Sequence, residues 1–127
     1  KNKQWLWQLP EEGAKKGEGP SKVQVAGNTS TIDYGDASLK ATFLAPPRVR
    51  LDAGTENVQV RDARHGYHGP IRRVKATGGD EFFVVMTLQR DAPPAVETSG
   101  AGLRATAIVG KQTIRFDGKN IVLKPRD

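Results

Sequence analysis

The stretch LRATAIVGKQTIRFDGKNIVL, residues 103–123, decides the fold class. It contains three runs in which apolar and polar residues alternate: Leu103–Val109, Gln112–Phe116 and Asn120–Leu123. The letters GK and DGK separate these runs, and such glycine-containing pairs are typical of tight β-hairpin turns. The pattern therefore predicts three consecutive antiparallel strands.

The same alternation continues upstream, and stripes with a helical period are scarce. About ten short strands with polar turns predict an all-β fold, an antiparallel β-sandwich, with a β-barrel as the alternative. Glu81–Arg90 has a continuous apolar centre, which predicts a strand in the middle of a sheet, covered on both faces.

The chain has 127 residues and a mass of 13.8 kDa, enough for one domain that buries a core of its own. We therefore interpret residues 1–127 as a single β-sandwich domain. The chain opens with Lys1-Asn2-Lys3, without an initiator Met or an apolar signal segment. This opening predicts that the domain is part of a longer chain.

Composition excludes several classes of protein. The longest apolar run, Phe82–Met86, has five residues, whereas a transmembrane helix needs about 20. Zero cysteines exclude a disulfide framework, cysteine-ligated zinc, iron–sulfur clusters and thiol catalysis. The absence of cysteine fits the cytoplasm and the periplasm equally.

Both histidines lie in one short stretch, where His65 and His68 flank Tyr67. Histidine and tyrosine together can move a proton from a carbon beside a carboxylate, and two imidazoles can bind a metal. Only Asp62 offers a nearby carboxylate, so we predict no metal site. We favour a surface loop that happens to be rich in His and Arg over a ligand-contacting loop, and a ligand-contacting loop over catalysis or metal binding.

Positive charge is concentrated in the second half of the chain. Residues 1–60 contain 8 basic and 7 acidic residues, whereas residues 61–127 contain 12 and 7, which gives the formal net charge of +6. Arginine binds carboxylate and sulfate groups in a bidentate manner, so a basic surface attracts acidic polysaccharide. If the segment 61–75 binds such a ligand, we predict these contacts: Arg64, His65, Tyr67, His68, Arg72 and Arg73. A solvated basic surface without a ligand is the alternative.

Nucleic acid is another polyanion, but single-strand binding usually needs aromatic side chains on which bases stack. The chain has only eight aromatic residues, and three of them, Phe82, Phe83 and Phe116, lie in predicted core positions. The composition therefore disfavours nucleic acid as a partner.

Trp5 and Trp7 lie two residues apart, so a strand places them on one face. They can form a platform for a sugar ring, or they can fill a core or dock onto a neighbouring domain. We favour burial, because an apolar Trp-Leu-Trp segment is costly to leave in water.

Motifs of an autonomous active site are absent from the sequence. Gly100-Ala101-Gly102 follows no apolar strand and opens no helix, so it is not a phosphate-binding loop. No serine elbow, catalytic carboxylate pair or His-Glu-x-x-His run is found. We predict no catalytic residue and no cofactor in this chain.

Four segments carry a likeness to a known family: Lys3–Glu11, Leu39–Pro46, Asp80–Gln89 and Val109–Asp117. In strand order they resemble the C-terminal β region of heparinase II/III-like polysaccharide lyases. The first is similar to that family's Trp-bearing strand, and the second to its apolar Leu-x-x-Thr-x-Leu-x-Pro strand. Gln8 stands where the family pattern has His, so a role for that His does not transfer to this chain.

The resemblance implies an accessory β domain of a larger, secreted or periplasmic lyase. In that family Tyr and His carry out elimination where a helical toroid meets the β-sandwich, and no family motif surrounds Tyr67, His65 or His68. The expected function is therefore noncatalytic, with acidic polysaccharide and the catalytic helical domain of the same parent chain as partners. The alternatives are an independent carbohydrate-binding module, a nucleic-acid-binding β-barrel and an autonomous lyase.

Overall fold

The computed structural model describes residues 3–10, 20–58, 69–90 and 94–126. These residues form eleven β-strands, one short 3-10 helix and no α-helix, which confirms the predicted all-β class. The strands are β1 (Lys3–Pro10), β2 (Lys22–Ala26), β3 (Thr29–Tyr34), β4 (Ala37–Ala45), β5 (Arg50–Val58), β6 (Gly69–Gly79), β7 (Phe83–Gln89), β8 (Val96–Ser99), β9 (Thr106–Val109), β10 (Gln112–Phe116) and β11 (Ile121–Pro125), and the 3-10 helix is Gly102–Arg104.

The described strands form three sheets, and all their pairings are antiparallel. Sheet A has the order β1-β6-β5, sheet B the order β2-β3-β4-β7, and sheet C the order β11-β10-β9-β8. Each sheet ends in two edge strands, so none of them closes into a barrel. The architecture agrees with the predicted β-sandwich rather than with its alternative.

Sheet B contributes to two hydrophobic cores. On one side Ala41 and Phe43 pack with Ala76 of sheet A, and Trp5 and Leu51 surround this cluster. The other core joins residues of sheet B to sheet C: Leu44, Ala45, Phe83, Val85, Ala105 and Ala107. Sheet B therefore has sheet A on one side and sheet C on the other.

A β-bulge in β4 places two consecutive residues on the same side of sheet B. Phe43 pairs with Val84 while Ala45 pairs with Phe83, so Leu44 is the extra residue between them. The Asn28 side chain and carbonyl bind the backbone of Phe43, with its Nδ2 donating to the Phe43 carbonyl at 2.9 Å and its carbonyl accepting from the Phe43 N–H at 2.9 Å. Leu44 and Ala45 consequently both enter the core on the sheet C side.

Strand β7 differs from the sequence prediction. Phe83 and Val85 are buried, whereas Met86 and Leu88 are 48% and 67% exposed. Among the described strands β7 pairs only with β4 and lies at the edge of sheet B, so the prediction of a central strand is wrong. The apolar start of β7 is explained by burial between sheets A and C rather than by two hydrogen-bonded neighbours.

The hairpins predicted from residues 103–123 are confirmed, with β9, β10 and β11 as successive antiparallel neighbours. Asp117 Oδ1 accepts hydrogen bonds from the backbone N–H groups of Asn120 at 2.7 Å and Lys119 at 2.8 Å, which closes the second turn. These bonds favour the ionised carboxylate and lower the pKa of Asp117 below its ordinary value. The aspartate of the Asp-Gly pair therefore has a structural role in the turn.

Candidate functional site

The predicted ligand contacts divide into two groups. Arg64, His65, Tyr67 and His68 lie outside the described residues. Arg72 and Arg73 lie in β6, the central strand of sheet A. The role of all six as ligand contacts therefore stays a prediction, and the structure gives an environment only for the two arginines.

Arg72 and Arg73 are adjacent in β6, and successive residues of a strand face opposite sides of a sheet. Arg72 pairs with Leu9 and shares the side of Val74 and Ala76, which are fully buried toward sheet B. Arg73 pairs with Gln8 on the opposite, outer side. A flat ligand on the outer side of sheet A can therefore contact Arg73 directly. The side chain of Arg72 leaves the strand on the opposite side, which faces sheet B.

Arg73 is held by two carboxylates of the neighbouring strand β5. Its Nη1 lies 3.1 Å from Asp52 Oδ2, and its Nε pairs with Glu56 Oε1. The guanidinium lies over Gly54, where an added Cβ would come within 3.3 Å of Nη2. A polyanion at Arg73 would thus compete with Asp52 and Glu56 for the same guanidinium.

The two tryptophans of β1 have different surroundings. The Trp5 ring packs edge-on against Phe43, with ring centroids 5.1 Å apart, and belongs to the core between sheets A and B. The Trp7 ring stacks on Trp5 at 6.1 Å and lines an open groove. Trp5 is therefore packed in a core, as predicted, whereas the Trp7 ring lines the groove.

The groove beside Trp7 is apolar and has a volume of about 280 Å³. We call it the Trp7 groove; its lining residues are Trp7, Gln8, Leu9, Ile32, Tyr34, Ala37, Leu39 and Leu88. It lies where β1 of sheet A passes over β3, β4 and β7 of sheet B, so it is the open end of the first core. Such a surface can receive apolar side chains or the C–H face of a sugar ring.

A larger groove of about 540 Å³ lies at the other end of β1. Its walls include two carboxyl-bearing side chains, Asp80 and Glu81, one cation, Lys3, and the backbone of Gly78 and Gly79. A net negative lining disfavours an acidic ligand. This second groove is therefore a weaker candidate for polysaccharide than the Trp7 groove.

Within the described parts of the chain, no three His, Cys, Asp or Glu side chains come together as a possible metal site. Membrane-spanning helices are also not found there: none of the described segments forms a helix of sufficient length and apolar character.

Sequence reasoning did not identify Tyr34, Ile32 or Leu88 as neighbours of Trp7. These residues come from β3 and β7, and only the packing of sheet A on sheet B brings them to β1. The signal in the sequence was Leu88 itself, an apolar residue at the polar end of β7. A single exposed apolar residue does not identify a binding surface unless its neighbours in space are known.

Comparison with known proteins gives one partial likeness. The chain is 33% identical over 105 residues to Protein sds23 of Aspergillus clavatus, a match that covers 80% of the chain and 19% of that protein. The chain thus spans about a fifth of the length of this relative. No protein-family model matches the chain, and no solved structure matches it.

Proposed function

We propose that the chain is a noncatalytic accessory β-sandwich domain of a heparinase II/III-like lyase that acts on acidic polysaccharide. In this role it braces the catalytic helical domain of the same parent chain, in a secreted or periplasmic enzyme. The observation that carries the proposal is the Trp7 groove, together with two exposed apolar side chains of β7: Leu88, which lines the groove, and Met86, two residues before it. Apolar surface of this kind is stabilised when a neighbouring domain covers it.

The bracing role can be tested by Leu88→Asp in the parent enzyme and in the isolated chain. A charge at Leu88 should lower the melting temperature of the parent by several degrees and leave the isolated chain nearly unchanged, because Leu88 is already 67% exposed. Leu6→Asp is the matched control, since Leu6 is 52% exposed on the outer side of sheet A. Equal effects of Leu88→Asp in both proteins would contradict a domain contact at the groove.

The noncatalytic part of the proposal has a direct assay. Elimination in a uronate polymer creates an unsaturated product that absorbs ultraviolet light. The isolated chain should produce no such absorbance, whereas the parent enzyme should. A rise with the isolated chain would show an autonomous lyase instead.

Substrate contact by the basic segment is tested with alanine at Arg64, Arg72 and Arg73 together. The triple variant should weaken binding of a uronate oligosaccharide at low salt, as cations on the surface are removed. Arg73→Ala alone should weaken binding less than the triple variant, because Asp52 and Glu56 already pair with Arg73. Unchanged affinity of the triple variant would remove these residues from the proposal.

Trp7 favours a second candidate, an independent carbohydrate-binding module. Its ring and that of Tyr34 line the same groove, and aromatic rings stack on the C–H faces of sugars. A module should change its tryptophan fluorescence when the isolated chain is titrated with oligosaccharide, and Tyr34→Ala should reduce that response. A bracing domain should give no response to the sugar.

A further inference from the structure

Strand β11 is an edge of sheet C, and its apolar side chains extend beyond the core. Ile121 pairs with Phe116 and Leu123 with Ile114, so both lie on the side of sheet C that faces sheet B. Ile114 and Phe116 pack against the core there, whereas Ile121 and Leu123 are 55% and 61% exposed. The apolar side of sheet C is thus wider than the part that the described residues of sheet B cover.

The backbone of β11 also has hydrogen-bonding groups that no described strand uses. The N–H of Arg126 donates to Lys111 and the N–H of Asp117 donates to Asn120, which fixes the alternation of the ladder between β10 and β11. By this alternation the groups of Val122 and Lys124 point to β10, and those of Ile121 and Leu123 point away from it. Among the described strands β11 has no partner on that second side.

The opposite face of the same edge is basic. Lys124 and Arg115 are exposed on the outer side of sheet C, and Lys119 lies in the turn that leads into β11. Arg126 pairs with Glu97 at 3.9 Å, a long surface ion pair of small energetic value. The edge therefore has an apolar side and a positively charged side along the same short strand.

We propose that β11 binds an extended acidic segment of a partner protein by strand addition. The segment places apolar side chains beside Ile121 and Leu123 and carboxylates beside Lys124 and Arg115, while its backbone pairs with the side of β11 that no described strand occupies. Alternation in the partner follows from the two-residue period of a strand. The described edge Ile121–Pro125 accommodates about five residues, on the order of 17 Å.

Charge complementarity selects this occupant over a second copy of the chain. Each copy has a formal net charge of +6, and pairing two β11 edges would bring Lys124 of both copies onto one surface. Lysine on an edge strand is a known protection against pairing of identical edges. A carboxylate of an acidic strand is instead attracted to Lys124. The charge of the β11 edge therefore disfavours pairing with a second copy and favours pairing with the acidic segment.

The probe is a capped hexapeptide of alternating glutamate and valine, titrated into the chain and followed by amide NMR. We expect shift changes at the Ile121 and Leu123 amides and affinity that falls as salt rises. A peptide of alternating lysine and valine should bind at least tenfold more weakly. Equal binding of the two peptides, or shifts centred on the β8 edge, would overturn the proposal.

Two variants separate the backbone from the charge. Leu123→Pro removes an N–H that the ladder with β10 does not use, and should reduce affinity roughly tenfold by loss of one hydrogen bond. Lys124→Glu changes an exposed side chain on the outer side of sheet C, and should reduce the preference for the glutamate peptide over the lysine peptide. Affinity that Lys124→Glu does not alter would overturn the proposal, and so would a homodimer, detected by sedimentation, that Leu123→Pro dissociates.

Discussion

The two cores on either side of sheet B both pack a phenylalanine of sheet B against alanine. They differ in the partly buried side chains that sheets A and C add around them. Toward sheet A, Phe43 meets Ala76, and toward sheet C, Phe83 meets Ala105 and Ala107. Sheet A adds Trp5 to its core, whereas the partly buried residues that sheet C adds are smaller. Alanine on one sheet allows close approach of a large side chain from the other.

The two interfaces also leave different surfaces open. Where sheets A and B part, the Trp7 groove remains, with aromatic walls. In sheet C, the edge strand β11 remains, with aliphatic side chains and lysine. The middle sheet B is therefore packed on both sides near the bulge at Leu44, while each outer sheet keeps an exposed surface of different chemistry.

The largest expected effect comes from Phe43→Ala, which removes a ring that is 1% exposed. It should cost about 3–5 kcal/mol of unfolding free energy, since a cavity is added to the lost transfer energy. Leu44→Ala tests the other core and should cost about 2–5 kcal/mol. Urea unfolding should be followed by tryptophan fluorescence and by far-ultraviolet circular dichroism.

These two probes distinguish one cooperative unit from two. Both tryptophans lie in β1, so fluorescence reports on the core with sheet A, whereas circular dichroism reports on all three sheets. If sheet B couples the cores, both probes give the same midpoint in both variants. Separate midpoints in Leu44→Ala would contradict that coupling.

A somewhat smaller effect is expected from overpacking the second core. Ala107 is fully buried, so Ala107→Leu should cost about 1–3 kcal/mol by forcing the neighbouring side chains apart. Thr106→Val is the matched control in the same strand, because Thr106 faces the other side of sheet C. The thermal melts of both variants measure the difference. A stabilised Ala107→Leu variant would show that this core contains unfilled space.

Two glycines provide a finer test of close backbone packing, one at the end of β6 in sheet A and one in the β9-β10 turn of sheet C. Gly78 has φ +120°, and an added Cβ would lie 2.7 Å from the carbonyl oxygen of Arg48, so Gly78→Ala should cost about 2 kcal/mol. Gly110 has φ +58° and open space around it, so Gly110→Ala should cost only about 1 kcal/mol. Chemical denaturation of the two variants measures both costs, and equal costs would contradict a close contact between Gly78 and Arg48.

Residues 103–123 show how much of the fold can be predicted from the sequence. Their alternation and turn residues act locally, so the hairpins of sheet C followed from neighbouring letters. The bulge at Leu44 did not, because the strict alternation of Ala37–Ala45 favours a regular strand. The hydrogen bonds to Phe43 beside the bulge come from Asn28, 15 residues away, and no local sequence pattern contains that contact.

The candidate site was predicted only in part for a similar physical reason. Trp7 was recognised from its position beside Trp5, but the groove also needs Tyr34 and Leu88 from another sheet. Arg72 and Arg73 looked equivalent as neighbouring cations, yet the period of the strand places them on opposite faces. The number of charges along the chain does not show which side of sheet A each arginine faces, whereas the register of β6 does.

The smallest expected effect concerns pH and the turn before β11. Its two backbone hydrogen bonds lower the pKa of Asp117 in the folded chain, so ionised Asp117 stabilises the fold above the ordinary pKa of an aspartate. This contribution is lost as pH falls through the lowered value. The amides of Lys119 and Asn120 should therefore become less protected from exchange in acid, relative to the rest of β10 and β11.

Asp117→Asn is the matched control, because its side-chain carbonyl oxygen still accepts the two hydrogen bonds and does not titrate. The turn of this variant should therefore lose the local pH dependence. If Asp117→Asn shows the same pH dependence of amide exchange, a group other than Asp117 causes it. The protonation of Asp117 would then have no effect on the turn that leads into β11.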